Sequence, residues 1–369
     1  MLRNCTPYHI INPYSVGTLI CYSYFIMFQR SFKYYKAKCT TPDLNNVIDF
    51  DCCSNEVTVT EQRILQKKMR FEQHSNISNK NNILMVAGLK PLNDWRSYTL
   101  DNHPGLLVIR NPFTERGQRY WIARCLRDYP RTPNKVNLNE RLFPDSARSD
   151  WWKELHQCAN IIEMQRLKFA MRWTTFGYHH NWDTKIYDES MRSPFPTDLK
   201  SMCTFFSSIL GFNNFKPEAA IVNYYPIGTS LSGHTDHSEP NHSAPLFSFS
   251  FGQTAIFLIG GKTNDEIPTA LYIHSGDVLI MSDESRLCHH AVPRIIKTKV
   301  SWTSELPIEN IETEIIGKNL LDNILYQKVG DWNFWKPFSR YLDDSRININ
   351  VRQVLKPGDS TLSQNNTTL

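Results

Sequence analysis

The stretch GHTDHSEPNHSAPLFSFSFGQTAIFLIGG, from Gly233 to Gly261, decides the fold. Its second half alternates Phe247, Ser248, Phe249, Ser250 and Phe251, the period-two pattern of a half-buried strand. Similar short runs flank it: AAIVNYY (219–225), ALYIHSGDVLIM (270–281) and RININVRQVL (346–355). They are β-branched or aromatic and bounded by Gly, Pro, Asn and Asp. Such strands in succession predict a sandwich or jelly roll. Upstream, RILQKKMRFEQ (63–73) and WWKELHQCANIIEMQRLKFAMRW (151–173) carry apolar residues at helical spacing. The expected fold class is therefore α+β. A helix-rich region over 40–205 precedes a strand-rich core over 206–356.

Composition sets outer bounds. The chain has 369 residues, a formal charge of +5 and nine cysteines, enough length for a large core. The cysteines form no CxxC pair and read as reduced thiols of an intracellular protein. Residues 1–39 form a basic extension: no Asp or Glu occurs before Asp43, while Arg3, Arg30, Lys33, Lys36 and Lys38 do. The apolar run from Val16 to Phe28 is too short to span a bilayer. An acid-free basic leader fits a targeting segment. The mitochondrion is the expected address, with nucleus and cytoplasm as alternatives. The polar residues 357–369 are expected to be a disordered tail, and the protein to be a monomer without a transmembrane segment.

The first half of the opening stretch offers metal ligands. In an extended chain residues two apart share a face, so His234 and Asp236 project together and His237 points away. Gly233 and Pro240 argue against a helix here. A third ligand is available in SRLCHHAVPR, where His290 or its neighbour His289 can face the site. Exposed loop positions suit His237 and His242 better, and Glu239 reads as a supporting or surface group and not a ligand. Two His and one carboxylate with open positions suit non-haem Fe(II). Catalytic zinc uses similar ligands. No HExxH motif is present to favour it.

The last strand discriminates. Arg346 and Arg352 lie six apart, an even spacing that puts both on one strand face. Arginines grip carboxylates in a fork. Asn223 and Tyr225 share a parity too, and Tyr224 between them is counted in the same contact set. Together they suggest Fe(II) with 2-oxoglutarate. Arg340, six before Arg346, is the competing arginine.

The order NYY, HTD, SFSFGQTAIF, HSGDVLIM, ESRLCHHAVPR and RININVR resembles the catalytic core of the AlkB family of Fe(II)/2-oxoglutarate dioxygenases. Upstream, PDLNNVIDF, RWTTFGYHHNWDTKIY and PFPTDL resemble its AlkB homologue 1 branch. The likeness runs from about Phe32 to Leu355. It implies a double-stranded β-helix, a form of jelly roll, behind a substrate-recognition region. By resemblance His234, Asp236 and His290 are the iron ligands. Arg346, Asn348 and Arg352, with the NxY residues Asn223 and Tyr225, contact 2-oxoglutarate, and O2 is the co-substrate. The family often has HxDxDE; here Ser238 replaces the second Asp, a position linked to base recognition.

The implied activity is oxidative demethylation of methylated bases in RNA or DNA, with formaldehyde, succinate and CO2 released. The resemblance attaches to this branch demethylation of N1-methyladenine in tRNA and of N6-methyladenine in DNA, and oxidation of 5-methylcytosine in tRNA. Hydroxylation of a protein such as a histone is the alternative. A base must leave its stack to reach such a site. Trp173, Phe176, Tyr178 and Trp182 are candidates to line its path, with core packing the favoured alternative for most of them. Lys67, Lys68, Arg70, Arg124, Arg127 and Arg131 are candidates for phosphate contacts.

Overall fold

A computed structural model describes residues 27–38, 42–51, 56–59, 62–67, 88–298, 305–307 and 321–362. The N-terminal segment 1–26, the last residues 363–369, and Lys68 and Arg70 lie outside the described residues, as does the side chain of Lys67.

The upstream strands are β1 (Glu56–Val59), β2 (Gln62–Lys67), β3 (Arg96–Leu100), β4 (Leu106–Arg110), β5 (Lys135–Val136), β6 (Trp173–His180) and β7 (Tyr187–Arg192). Downstream come β8 (Ala219–Pro226), β9 (Leu231–His234), β10 (Leu246–Gly252) and β11 (Thr254–Ile259). They are followed by β12 (Thr269–Ile273), β13 (Val278–Met281), β14 (His290–Ile296) and β15 (Ser345–Arg352). The helices are α1 (Met27–Lys36), α2 (Glu115–Ala123), α3 (Asp145–Ser149), α4 (Trp151–Gln157), α5 (Ile161–Ala170), α6 (Thr197–Ile209), α7 (Asn323–Lys328) and α8 (Trp332–Leu342).

Two antiparallel sheets form the double-stranded β-helix. The larger runs β1-β2-β3-β4-β13-β10-β15-β8-β6-β5, with β7 attached to β6. The smaller runs β12-β11-β14-β9. The Phe/Ser alternation of β10 separates its two faces. Phe247, Phe249 and Phe251 join Val222, Tyr224, Ile347, Ile349 and Val351 in a core shared with Trp121, Trp151, Phe206 and Trp335 of the helices. The opposite face contributes Leu246, Tyr225, Leu279 and Met281 to a second core between the sheets, against Phe257, Ile259, Leu271 and Val292.

Three expectations about organisation need correction. Beside its helices the upstream region supplies β1 to β7, all joined to the larger sheet. RILQK (63–67), read as helical from its apolar spacing, lies in β2, paired to β1 and β3. Tertiary pairing overrode local periodicity there. The basic extension contains α1, docked on the smaller sheet with Phe28 only 2% exposed. Residues 357–362, expected in a disordered tail, are held on the fold: the Leu362 N–H donates to Glu189 at 3.0 Å and its side chain packs on the cluster of Tyr178, Tyr187, Val354 and Leu355.

Two glycines are required by close approach. A Cβ on Gly233 would lie 2.7 Å from the Phe28 ring, so this glycine lets α1 seat directly behind His234. Gly177 has φ +69° and touches the Glu218 carbonyl, where any Cβ would collide. Among the described residues no helix is long and apolar enough to cross a membrane.

Candidate metal and cosubstrate centre

His234 ends β9 and His290 begins β14, and the two are partners across that antiparallel pair. Register therefore sets their rings side by side, with centroids 4.3 Å apart. Asp236 follows two residues beyond the strand end. Its carboxylate lies 4.0 Å from Nε2 of His234 and 3.7 Å from Nε2 of His290. One ligand atom from each residue falls within 4.8 Å of the others.

The other nitrogen of each ring is committed. Nδ1 of His234 is 3.0 Å from the Ser232 carbonyl, and Nδ1 of His290 is 3.1 Å from the Cys288 carbonyl. A carbonyl only accepts, so each Nδ1 carries the proton and each Nε2 presents its lone pair toward Asp236. Burial also pushes the His290 imidazole down to about 4, which keeps it neutral, the ligating form. Burial alone would push the Asp236 carboxyl up. The adjacent Arg352 guanidinium, with His290 and His234, holds it well below the usual carboxylate range. His289 points elsewhere, with its ring 6.0 Å from Phe28, while His237 and His242 are exposed.

Arg346, Asn348 and Arg352 share one face of β15, turned away from the helices. Burial presses the Arg346 guanidinium down from its ordinary value, and Tyr225 opposes the shift. Its Nη2 donates to Ser250 at 2.9 Å, and its Cζ sits 5.1 Å from the Tyr225 ring centre. Its Nε and Nη1 are buried without hydrogen-bond partners. An uncompensated buried guanidinium of this kind fits a missing carboxylate, so the donors present suit 2-oxoglutarate. Asn348 is partly spent, because its amide donates to Ser248 at 2.8 Å and to the Phe249 carbonyl at 3.0 Å. Asn223 is its partner across the β8–β15 pair. Arg340 is on the exposed face of α8 and cannot substitute for Arg346 or Arg352.

Tyr224 does not belong to this set. Strand parity turns it to the helix side, where it is fully buried and its hydroxyl donates to the Cys125 carbonyl at 2.6 Å.

The aromatic residues expected to line a path separate into two groups. Trp173 and the exposed Trp182 lie 5.7 Å apart, and His180 sits 4.6 Å from Trp182. His180 Nε2 is 3.0 Å from Ser238 Oγ, which brings this group to the edge of the triad. Phe176 and Tyr178 go elsewhere: Phe176 is core packing against Tyr129 and Phe195. Tyr178 lies under the hairpin and donates to Glu189 at 2.7 Å. The expected phosphate contacts also change. Arg124 and Arg127 are tied to Asp128 and Asp198, and Arg131 to Asp150.

Sequence reading missed Ser248, Ser250, His180, Tyr187 and Arg286. The serines were legible as the polar partners of the β10 phenylalanines. Nothing local marks Arg286. A second close group, Asp49, Asp51 and His274, is no cation site, because Arg96 and Arg110 both pair with Asp51.

The chain is similar to known proteins over most of its length. The family model of the 2OG-Fe(II) oxygenase superfamily matches residues 105–352. The chain is 36% identical over 336 residues to mouse "Nucleic acid dioxygenase ALKBH1", covering 90% of this chain and 84% of the relative. It is 34% identical to the Arabidopsis thaliana "DNA N(6)-methyladenine demethylase ALKBH1A", over 70% of this chain and 77% of that one. It is 32% identical to the fission yeast "tRNA demethylase abh1", over 70% of this chain and 82% of that one. Such enzymes use Fe(II), 2-oxoglutarate and O2. By the span of these matches the chain belongs to the 2OG-Fe(II) oxygenase superfamily, within the AlkB homologue 1 family.

Proposed function

We propose that this dioxygenase demethylates methylated nucleic-acid bases, with tRNA N1-methyladenine as the first substrate to test. N6-methyladenine in DNA comes next, and 5-methylcytosine in tRNA as a substrate whose carbon-bound methyl is oxidised but not released. His234, Asp236 and His290 are assigned to the metal, and Arg346 with Tyr225 and Asn223 to 2-oxoglutarate. Arg352 holds Asp236. Iron and 2-oxoglutarate, when bound, would supply with O2 the oxidising power that hydroxylates a methyl carbon; a methyl on a base nitrogen then leaves as formaldehyde.

The observation that carries the reading is the group of Trp173, His180 and Trp182 at the edge of the triad. Flat rings stack an extruded base whatever its identity. Trp182 is 42% exposed and open to such contact. His180 keeps Nδ1 without a hydrogen-bond partner, and burial pushes the ring below its ordinary value, so it stays neutral toward a base edge. Ser238 steadies it from the other side. The relatives named above act on nucleic acid by their names, which supports the same substrate class.

The test is mass spectrometry of nucleosides after incubating methylated tRNA and DNA oligonucleotides with the protein, Fe(II) and 2-oxoglutarate. Loss of one methylated nucleoside with matching formaldehyde is expected. Succinate formation with no nucleoside change would overturn the reading and favour a protein substrate. A mitochondrial or nuclear address is proposed from the acid-free leader alone, and imaging of a full-length fluorescent fusion tests it.

A further inference from the structure

His180 and Tyr187 face each other across the β6–β7 hairpin. They touch consecutive residues of the loop that follows Asp236: His180 meets Ser238, and the Tyr187 hydroxyl donates to Glu239 Oε1 at 2.8 Å. Glu239 is only 3% exposed. Its other oxygen accepts from Arg286 Nη2 at 3.0 Å, and Arg352 Nε approaches Oε1 at 3.4 Å. Both arginines then reach Asp236. Arg352 Nη2 contacts the carboxylate, while Arg286 Nη1 donates to the backbone carbonyl at 2.6 Å.

We propose that Glu239 is a positioning residue that fixes the metal ligand Asp236 through Arg352 and Arg286, and that Tyr187 ties this fixing to the β6–β7 hairpin. The two carboxylates and two guanidiniums are formally neutral as a set, so the set is stable when buried only while complete. Removing the charge of Glu239 leaves two buried cations competing for Asp236 and draws its carboxylate away from a metal. Residues that orient metal ligands typically influence affinity by roughly tenfold to a hundredfold. Coupling is reciprocal. If the hairpin restrains Asp236, loading the metal must in turn order the hairpin. The proposal rests on the metal assignment above and is independent of the nucleic-acid substrate.

The experiment uses the full chain with Mn(II) and 2-oxoglutarate. Mn(II) affinity is read by calorimetry, and amide hydrogen exchange is followed over residues 178–192. In the wild type, loading is expected to slow exchange across the hairpin. Glu239→Gln is expected to weaken Mn(II) binding by roughly tenfold or more. Tyr187→Phe, which removes one hydroxyl and keeps the ring, is expected to bind Mn(II) within a few-fold of wild type while losing most of the hairpin protection. Melting curves verify that each variant is folded. A merely structural Glu239 lowers the melting temperature and leaves Mn(II) affinity unchanged, which overturns the proposal. So does full hairpin protection in Tyr187→Phe, or none in the wild type. A wild-type chain that binds no Mn(II) overturns the metal assignment together with this proposal, whereas a chain that binds Mn(II) but demethylates nothing indicts only the substrate reading.

Discussion

Arg352 reaches both carboxylate oxygens of Asp236 through one nitrogen, Nη2, at 2.9 Å each. The remainder of its guanidinium faces Glu239, so one planar group spans two acids. Lysine offers a compact ammonium that cannot do both. Arg352→Lys should lower Mn(II) affinity by roughly tenfold or more, as measured by calorimetry, with the fold intact by circular dichroism.

Arg346 is buried with its Nε and Nη1 lacking hydrogen-bond partners among the described residues. Arg346→Gln removes a donor pair that a carboxylate would use, and charge-assisted contacts of this kind contribute about 1.5–3 kcal/mol. The dissociation constant for 2-oxoglutarate should rise roughly tenfold to a hundredfold, with Mn(II) affinity much less affected. Titration of 2-oxoglutarate in the presence of Mn(II) separates the two. Equal losses for metal and 2-oxoglutarate would contradict the division of roles.

Trp182 is exposed and lies beyond the sheet cores, so its removal should cost little stability. Base–aromatic stacking contributes about 1–3 kcal/mol per base. Trp182→Ala should therefore weaken binding of a methylated oligonucleotide, seen by fluorescence anisotropy, while succinate formation without nucleic acid is retained.

Two histidines away from the site link stability to pH. His103 and His179 are buried against Thr269 and Thr175, each 2.8 Å from the threonine hydroxyl. Burial pushes both from 6.5 down to about 4. Below pH 6.5 the unfolded chain takes up protons that the folded chain refuses. Stability should fall as pH drops from about 6.5 toward 4, and neither residue contributes a slope above that window. Melting temperature against pH checks this, and a His103→Asn, His179→Gln double variant should show a shallower acid slope.

Phe28 fills a slot bounded by Gly233 and Gly260, whose Cβ positions would fall 2.7 and 2.8 Å from its ring. Phe28→Ala should cost about 3–5 kcal/mol if the slot stays open, less if it collapses. Denaturant unfolding measures the loss. Gly233→Ala should destabilise too, by forcing the ring out.

Much of the centre was legible in the chain. Spacing alone put His234 with Asp236, and Arg346 with Arg352, on common faces, because a strand has a period of two whatever surrounds it. It could not choose His290 over His289; that choice follows from the register of β14 against β9, a contact between residues more than fifty apart. Nor could local pattern reveal that RILQK is a strand, since its pairing with β3 is a tertiary event.

The sequence by itself determined the ligand types and their face-sharing, and with them the dioxygenase chemistry. Which face was which was decided only by tertiary structure. Alternation in FSFSF is symmetric under exchange of its sides, and burial breaks the symmetry. The phenylalanines go to the helices, where a large apolar surface needs cover. Ser248 and Ser250 turn inward, where Arg346 and Asn348 require acceptors. The same packing turned Tyr224 away from the site and set Glu239 between Arg286, Arg352 and the Tyr187 hydroxyl, beside Asp236.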